Sequence, residues 1–298
     1  MMNVILAGAT GLIGHALVPA LLAEGHTVTV LTRGADPAVA GAPAVRWDGL
    51  RVDEAVLRGV DAIVNLSGAT IGGRRWTDAR KREILHSRVD STAALVDALA
   101  RLSSAERPSV LVNASGIGYA GDTGDEVVTE DAGPGTDFLA SVCREWEAAA
   151  LSAEALGLRV ALMRTGVVLG RGAPTLRLLA LPFRLFAGGR VGSGQQWFPW
   201  IHLDDVVRVY ARSLSDPELS GPINLVAPEP VRQTELARAL GRALHRPALL
   251  PTPAWAIRLA LGEQSQLALT GQRAESHKLD PTAFLYPRLA EALAEALG

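Results

Sequence analysis

Three glycines near the start of the chain have a spacing that suits contact with a diphosphate. Gly8, Gly11 and Gly14 lie in the segment GATGLIG, between an apolar stretch and a helical stretch. A side chain at these points would block a tight turn, the approach of the phosphates or the packing of helix on strand. The start of the helix also offers free N–H donors to phosphate oxygens. We therefore predict a dinucleotide site here, with an ordinary tight turn as the alternative.

The residue that follows the second apolar stretch indicates which dinucleotide is bound. Arg33 comes directly after Thr32, at the point where NAD-binding folds carry an acidic residue for the ribose hydroxyls. An arginine can pair instead with a 2'-phosphate, and the Thr32 hydroxyl can add a contact. This pair predicts NADP(H) as the cofactor. The alternative is that Arg33 is a solvated loop residue.

The elements that must position these residues alternate along the chain. Short apolar runs lie at 3–7, 27–32, 44–47, 62–66, 110–114 and 159–163. Helix-length segments separate most of them, and residues 77–102 suit one long helix. This alternation predicts an α/β fold: a Rossmann-type, doubly wound parallel sheet with helices on both faces.

A second region begins where prolines become frequent. Ten prolines interrupt shorter elements between residues 174 and 253. We predict a dinucleotide-binding domain over 1–165 and a smaller C-terminal α/β substrate domain over 166–298, with a segment near 201–214 that returns to the first domain. In that segment we expect Asp204 or Asp205 to cap the following helix.

Composition excludes several other functions. The 298 residues carry 29 basic and 31 acidic side chains along the whole chain, which predicts no nucleic-acid partner. Cys143 is the only cysteine, so no disulfide forms within the chain, and the spacings of a metal site are absent. Without a signal-peptide pattern or an apolar run of about 20 residues, we expect a cytoplasmic protein with no membrane partner.

Several further motifs occur in a fixed order and together resemble a known family. They are NLSGATI at 65–71, the RRWTDARKREILHSRVDST run at 74–92, RTGVVLGRG at 164–172, FPWIHLDDV at 198–206 and NLVAPEPV at 224–231. With GATGLIG, they resemble the atypical short-chain dehydrogenase/reductase group of NAD-dependent or sugar-nucleotide epimerase-like proteins. The resemblance covers nearly the whole chain and implies a Rossmann domain followed by a C-terminal domain of unassigned function. The late segment TGQRAESHKLDPTAFLYP departs from the family pattern.

The resemblance also implies which residues contact NADP(H). In the glycine loop these are Gly8, Thr10, Gly11, Leu12, Ile13 and Gly14, followed by Thr32, Arg33, Leu66, Ser67, Glu83, Arg88 and Arg164. The arginines can donate to phosphate or ribose oxygens. Glu83 can only accept from a ribose hydroxyl or orient an arginine, and a solvated helix charge is the alternative.

Catalytic candidates are few, because the Tyr-x-x-x-Lys pair of the superfamily is absent. The corresponding positions hold Phe138 and Val142. Ser115 matches the superfamily's active-site serine or threonine, and Tyr119 lies four residues further on. A serine and a tyrosine can polarise a substrate carbonyl for hydride transfer while water supplies the proton. The alternative is that both only shape the pocket.

Two functions therefore remain open. One is an NADP(H)-dependent, epimerase/dehydratase-like oxidoreductase that acts on an unidentified small molecule. The other is a catalytically inactive NADPH-binding sensor or regulatory protein, since some relatives carry a cell-division label. A helix as long as 77–102 can also pair with a copy of itself, which makes a homo-oligomer a further expectation.

Overall fold

The computed structural model describes residues 1–36 and 38–298. Its strands are β1 (Asn3–Ala7), β2 (Thr27–Thr32), β3 (Ala38–Val39), β4 (Ala42–Arg46), β5 (Ala62–Asn65), β6 (Val110–Gly116), β7 (Val127–Val128), β8 (Arg159–Thr165), β9 (Val167–Leu169), β10 (Trp197–Phe198), β11 (Trp200–His202), β12 (Gly221–Leu225), β13 (Val231–Arg232) and β14 (Arg273–Ala274). Its α-helices are α1 (Leu12–Ala23), α2 (Asp78–Arg101), α3 (Phe138–Leu151), α4 (Pro174–Arg184), α5 (Leu203–Ser213), α6 (Gln233–Ala243), α7 (Ala254–Leu261), α8 (Gln266–Leu269) and α9 (Leu289–Leu297).

One eight-stranded sheet organises the molecule, in the order β12-β8-β6-β5-β1-β2-β4-β3. Its neighbouring strands run parallel except β3, which pairs antiparallel with β4 at the edge. The chain starts in the middle of the sheet, builds towards β4 and then crosses to β5 and beyond. Strand order therefore reverses beside β1, and ligands of such sheets bind at this reversal, beyond the carboxyl ends of the strands. The predicted α/β Rossmann-type fold is confirmed.

The first strand shows how the sequence pattern buries both faces of this sheet. Val4 and Leu6 pack with α1 and α5, whereas Ile5 and Ala7 pack with α2 and α3 on the opposite face. Successive side chains of a strand point to opposite faces, so a strand that is covered on both sides must be apolar throughout. Layers of helices thus hold the carboxyl ends of the strands in place.

The return to the large sheet is longer than the segment expected near 201–214. Helix α5 packs against the face that α1 also covers, and the chain then enters the sheet as β12, parallel to β8. The expectation of an aspartate cap on α5 is wrong. His202 is the N-cap, and its Nδ1 accepts the N–H of Asp204 at 3.2 Å, while Asp205 accepts from the backbone of Leu285 and Tyr286.

The rest of the C-terminal region consists of helices and short strand pairs, β9 with β11, β10 with β13 and β7 with β14. A separate apolar cluster holds α4, α6 and α9 together. Within the described part of the chain, no helix is long and apolar enough to cross a membrane.

The late segment that departs from the family pattern is anchored by one buried carboxylate. Glu130 accepts hydrogen bonds from Ser276 Oγ, His277 N and Asn224 N at 2.6, 3.0 and 3.0 Å. Burial alone would raise the pKa of Glu130, but these hydrogen bonds outweigh it and lower the pKa below the usual value of 4.5.

We expect the Glu130→Gln variant to lose about 2 kcal/mol of unfolding free energy at neutral pH, because the ionised form accepts all three bonds. Since the pKa is lower in the folded state, this contribution is complete above the usual glutamate pKa and disappears as the pH falls through the folded value. Urea unfolding of wild type and variant at a series of acidic pH values measures the difference. Parallel curves for the two proteins would contradict the assignment, and Glu145→Gln on the exposed face of α3 is the control.

Candidate functional site

The glycine loop has the shape that the sequence predicts for contact with a diphosphate. Gly8 has φ +83°, and a Cβ atom there would lie 2.6 Å from the backbone carbon of Leu66. At Gly14 a Cβ atom would lie 2.5 Å from the Cα of Ala9. No other residue fits at these two positions, so the turn between β1 and α1 stays close to the neighbouring strand end.

The start of α1 is open towards the same edge of the sheet. Gly11 is the N-cap, no side chain caps the helix, and its first turn has no acidic residue. A Cβ atom at Gly11 would meet only Gly8 O, at 3.5 Å, so the protein leaves the space above this residue free. Thr10 and Gly11 are exposed, and Leu12 and Ile13 are half-buried. The uncapped N–H groups and the helix dipole can hold a phosphate there.

Basic side chains surround the end of β2. Arg33 is exposed, and Thr32 is buried with its hydroxyl accepting from the N–H of Gly34 at 3.1 Å. On α2, Arg80 Nη1 lies 2.6 Å from Glu83 Oε2. The hydrogen bond from Arg80, with attraction from Arg74 and Arg33, lowers the pKa of Glu83. Arg80 thus pairs with this carboxylate while Arg33 and Arg74 lie within electrostatic range of it, and the corner has an excess of positive charge.

Two of these arginines were not among the predicted site residues. Arg80 also donates to Thr70 O, and its Nε is buried without a partner in the described residues. Arg74 is exposed in the loop before α2. Both lie in the motif run that carries the family resemblance, so the sequence shows their charge. The sequence does not show that they lie near Arg33, because about forty residues separate them from it.

The loop after β5 forms the next wall of the site. Leu66 N donates to Ala7 O at 2.9 Å, which holds this loop beside the glycine turn, and Ser67 N donates to Asn65 Oδ1 at 3.1 Å. Arg88 supports the loop from α2, with Nη1 donating to Ala69 O at 3.0 Å. Burial lowers the pKa of Arg88 to about 10, so it remains charged at neutral pH.

A buried ionic network lies behind the end of β6. Ser115 Oγ donates to Glu147 Oε1 at 2.6 Å, and Arg164 binds both carboxylate oxygens of Glu147 at 2.9 Å each. Arg164 Nη1 donates to Glu130 O at 3.1 Å. These contacts favour an internal role for Arg164 over the predicted contact with the cofactor, since each of its three nitrogens already donates to the protein and the side chain is buried.

The same network positions both catalytic candidates. The centre of the Tyr119 ring lies 3.6 Å from Arg164 Cζ. The Arg164 guanidinium therefore contacts both Tyr119 and Glu147, and Glu147 in turn accepts the hydrogen bond from Ser115. With its proton on Glu147, Ser115 presents lone pairs to a ligand and can accept from a substrate hydroxyl. The Tyr119 hydroxyl has no hydrogen-bond partner among residues 1–36 and 38–298, and it is free to donate. Glu147 was not a predicted site residue.

The helix that carries Glu147 has an apolar side in place of a catalytic pair. Phe138 packs edge-on against Trp76 with ring centres 5.1 Å apart, and Val142 is buried in the same cluster. Cys143 donates to Gly116 O at 3.6 Å, and burial raises its pKa to about 11. It is therefore a neutral packing residue and not a nucleophile.

The C-terminal region reaches back over the loop that precedes α2. Gln264 Nε2 donates to Ile71 O at 3.1 Å, and Glu263 pairs with Lys81. Arg75 Nη2 lies 3.5 Å from Leu259 O. The carboxyl edge of the sheet is thus bounded on one side by the segment that follows α7.

This combination of a doubly wound sheet, a glycine turn and an uncapped helix defines a dinucleotide-binding protein of the Rossmann class. The chain belongs to the NAD dependent epimerase/dehydratase family, whose family model matches residues 4–225. Residues 252–296 match a domain of unknown function, DUF1731. The family predicted from the sequence motifs is confirmed.

Relatives from distant organisms match most or all of the chain. The chloroplastic SDR39U1 homologue of Arabidopsis thaliana is 43% identical over 91% of this chain and 79% of its own length. The epimerase family protein Mb2239 of Mycobacterium bovis is 41% identical over 99% and 96%. The human epimerase family protein SDR39U1 (isoform 2), crystallised with NADPH, superposes with a TM-score of 0.88 at 34% identity, covering 99% of both chains.

Proposed function

We propose that this protein is an NADP(H)-binding, epimerase/dehydratase-like oxidoreductase that acts on a small molecule beside the carboxyl ends of β6 and β8. One observation carries the proposal: the open glycine turn is accompanied by a corner where Arg80 pairs with Glu83 while Arg33 and Arg74 have no ion-pair partner among the described residues. A 2'-phosphate supplies the negative charge that this corner lacks. The human relative crystallised with NADPH supports the same cofactor.

Each part of the site has its own task in this proposal. The loop 8–14 and the start of α1 bind the diphosphate, Arg33 with Thr32 binds the 2'-phosphate, and Leu66 and Ser67 line the adenine side.

The catalytic part of the proposal concerns the substrate. The cofactor, when bound, would supply or accept a hydride. Tyr119 Oη donates a hydrogen bond to the substrate oxygen, and Ser115 Oγ accepts one from a neighbouring hydroxyl. Water supplies the proton when a carbonyl is reduced and takes it up when an alcohol is oxidised, because the positions of the Tyr-Lys pair hold Phe138 and Val142.

The buried cluster around Phe138 favours a second candidate function, an NADPH sensor or regulator without catalysis. Phe138 and Val142 themselves supply neither a phenol nor an ammonium group at the positions of the superfamily's pair, and the Lys81 Nζ atom that lies 5.2 Å from the Phe138 ring centre has no phenol beside it there. In either function we place the protein in the reducing cytoplasm, in keeping with its single buried thiol. Pairing of two copies through α2 is a further part of the proposal, which gel filtration tests.

Titration of the purified protein with NADPH and NADH, followed by a screen of carbonyl compounds and nucleotide sugars, separates the two functions. An enzyme oxidises NADPH in the presence of some substrate, whereas a sensor binds NADPH tightly without turnover. Preference for NADH would contradict the role of Arg33.

Once a substrate is found, we expect Ser115→Ala and Tyr119→Phe each to lower kcat about tenfold, because each removes one hydrogen bond to the reacting molecule. NADPH affinity should stay unchanged in both variants. Cys143→Ala, which removes a neutral neighbour, is the control. If both variants retain full activity while Arg33→Ala abolishes it, the catalytic role of Ser115 and Tyr119 is wrong.

A further inference from the structure

Large apolar side chains point into solvent along one face of α4. Leu178, Leu181 and Leu185 are 65, 51 and 68% exposed, at a spacing that aligns them on one side of the helix. The opposite side, with Leu176 and Phe183, is buried in the C-terminal core. Helix α4 therefore has two apolar sides, and the core covers only one of them.

The residue after this face is held outward in an unfavourable conformation. Phe186 has φ +58° and is 60% exposed. It lies just beyond the end of α4, where a left-handed residue commonly ends a helix and glycine is the usual choice. A bulky side chain is rare in this region of backbone space. The ring stays in solvent even though burial would be favourable.

A second segment lies alongside and adds further apolar residues. Leu250 N donates to Gly188 O at 3.1 Å, Thr252 N donates to Arg190 O at 2.8 Å, and Arg246 Cζ lies 4.5 Å from the Phe186 ring. Leu249 and Leu250 are 80 and 56% exposed. These contacts hold residues 186–190 of the first segment, 171–194, against residues 246–252 of the second segment, 236–262.

Helix α7 continues this surface two residues after Thr252. Its sequence AWAIRLAL has one polar side chain, and none of its residues is buried. Trp255 and Leu259 are 68 and 73% exposed. A helix that is apolar on all sides is normally buried. We call the whole the apolar-basic surface, formed by Leu178, Leu181, Leu185, Phe186, Leu249, Leu250, Trp255 and Leu259 with the arginines around them.

The charges of the two segments all have one sign. Residues 171–194 and 236–262 contain eight arginines and no aspartate or glutamate, although the whole protein has a formal net charge of -2. Arg177, Arg184 and Arg258 are exposed next to the leucines in sequence. The sequence does not reveal this concentration of arginines, because the two segments are separated by a stretch that contains acidic residues.

We propose that the apolar-basic surface docks onto a membrane surface that carries anionic lipid headgroups. Leucine, phenylalanine and tryptophan enter the interface while arginines contact the headgroup phosphates. A second copy of the chain would bring arginines against arginines in a symmetric interface. This proposal replaces the expectation of no membrane partner, which rested on the absence of an apolar run of spanning length, because docking at a surface needs no membrane-spanning helix.

Flotation of the full-length protein, loaded with NADPH, on vesicles of phosphatidylcholine alone or mixed in equal parts with phosphatidylglycerol tests the proposal. We expect binding to the mixed vesicles only, weakening with added salt. Arg184→Gln and Arg258→Gln should each weaken it about fivefold, as expected for the loss of one basic residue at an anionic surface. The double variant Leu249→Ser/Leu250→Ser should weaken it more than tenfold.

Matched controls are available elsewhere on the surface. Leu50→Ser/Leu285→Ser and Arg51→Gln/Arg144→Gln alter exposed residues outside the apolar-basic surface and should leave binding unchanged. Trp255 is the only exposed tryptophan among the six. Its emission should shift to the blue with mixed vesicles, and Trp255→Phe should remove that shift.

Three results would overturn the proposal. They are no binding to mixed vesicles at low salt, equal loss in test and control variants, and vesicle-independent dimerisation that Leu249→Ser/Leu250→Ser abolishes. The last result would identify a second copy as the occupant. Unchanged NADPH affinity and circular dichroism in every variant ensure that loss of fold does not explain the loss of binding.

Discussion

Replacement of Arg33 by alanine is expected to weaken NADPH binding about a hundredfold and to leave NADH binding nearly unchanged. Arg33 is exposed at the end of β2 and has no ion-pair partner among the described residues. A hydrogen bond to a charged group contributes about 1.5–3 kcal/mol, which corresponds to this change in affinity. Only NADPH carries the 2'-phosphate. Calorimetric titration of the wild-type protein and of Arg33→Ala with both dinucleotides measures the effect.

The neighbouring arginines provide graded comparisons for this experiment. Arg74→Ala removes a charge of the same corner that does not belong to the β2 end, and we expect a loss of about fivefold for NADPH. Arg144→Ala alters an exposed arginine of α3 and should change neither affinity. Equal losses for NADPH and NADH in Arg33→Ala would place this side chain on a part of the cofactor that both share.

The Arg164→Met variant is expected to lose about 3–5 kcal/mol of unfolding free energy, because it leaves Glu147 as an uncompensated buried charge. Arg164 and Glu147 have side chains only 4 and 5% exposed and form two hydrogen bonds of 2.9 Å. Urea unfolding of the cofactor-free protein, monitored by tryptophan fluorescence, measures the loss.

The double variant Arg164→Met/Glu147→Leu distinguishes the pair from general packing. Removal of both charges should restore most of the stability, since a buried ion pair contributes little compared with apolar residues of similar volume. Arg159→Met, which alters a half-buried arginine without a carboxylate hydrogen bond, is the comparison. A single variant as stable as wild type would contradict the role of Glu147 as a buried charge that needs Arg164.

The sequence alone was sufficient for the local features of this protein. The glycine turn was predictable because Gly14 meets Ala9 within the turn and Gly8 has a positive φ, which are both local requirements, although Gly8 also faces Leu66 beyond β5. The bounds of α2 were also predictable: Thr77 accepts the N–H of Arg80 as the N-cap, and Leu102 is the C-cap. Such features depend on residues close together in the chain, whose spacing a sequence displays directly.

The tertiary structure alone decided the contacts between distant segments. Glu147 and Arg164 come from α3 and β8, and nothing in their spacing distinguishes them from solvated charges. Arg33, Arg74 and Arg80 act on the same carboxylate, Glu83, only because the end of β2 and the start of α2 lie at the same edge of the sheet. The two segments of the apolar-basic surface likewise meet only in the folded chain. Chemistry that depends on burial and on neighbours across the sheet is set by packing, whereas the backbone path at each turn is set by the local sequence.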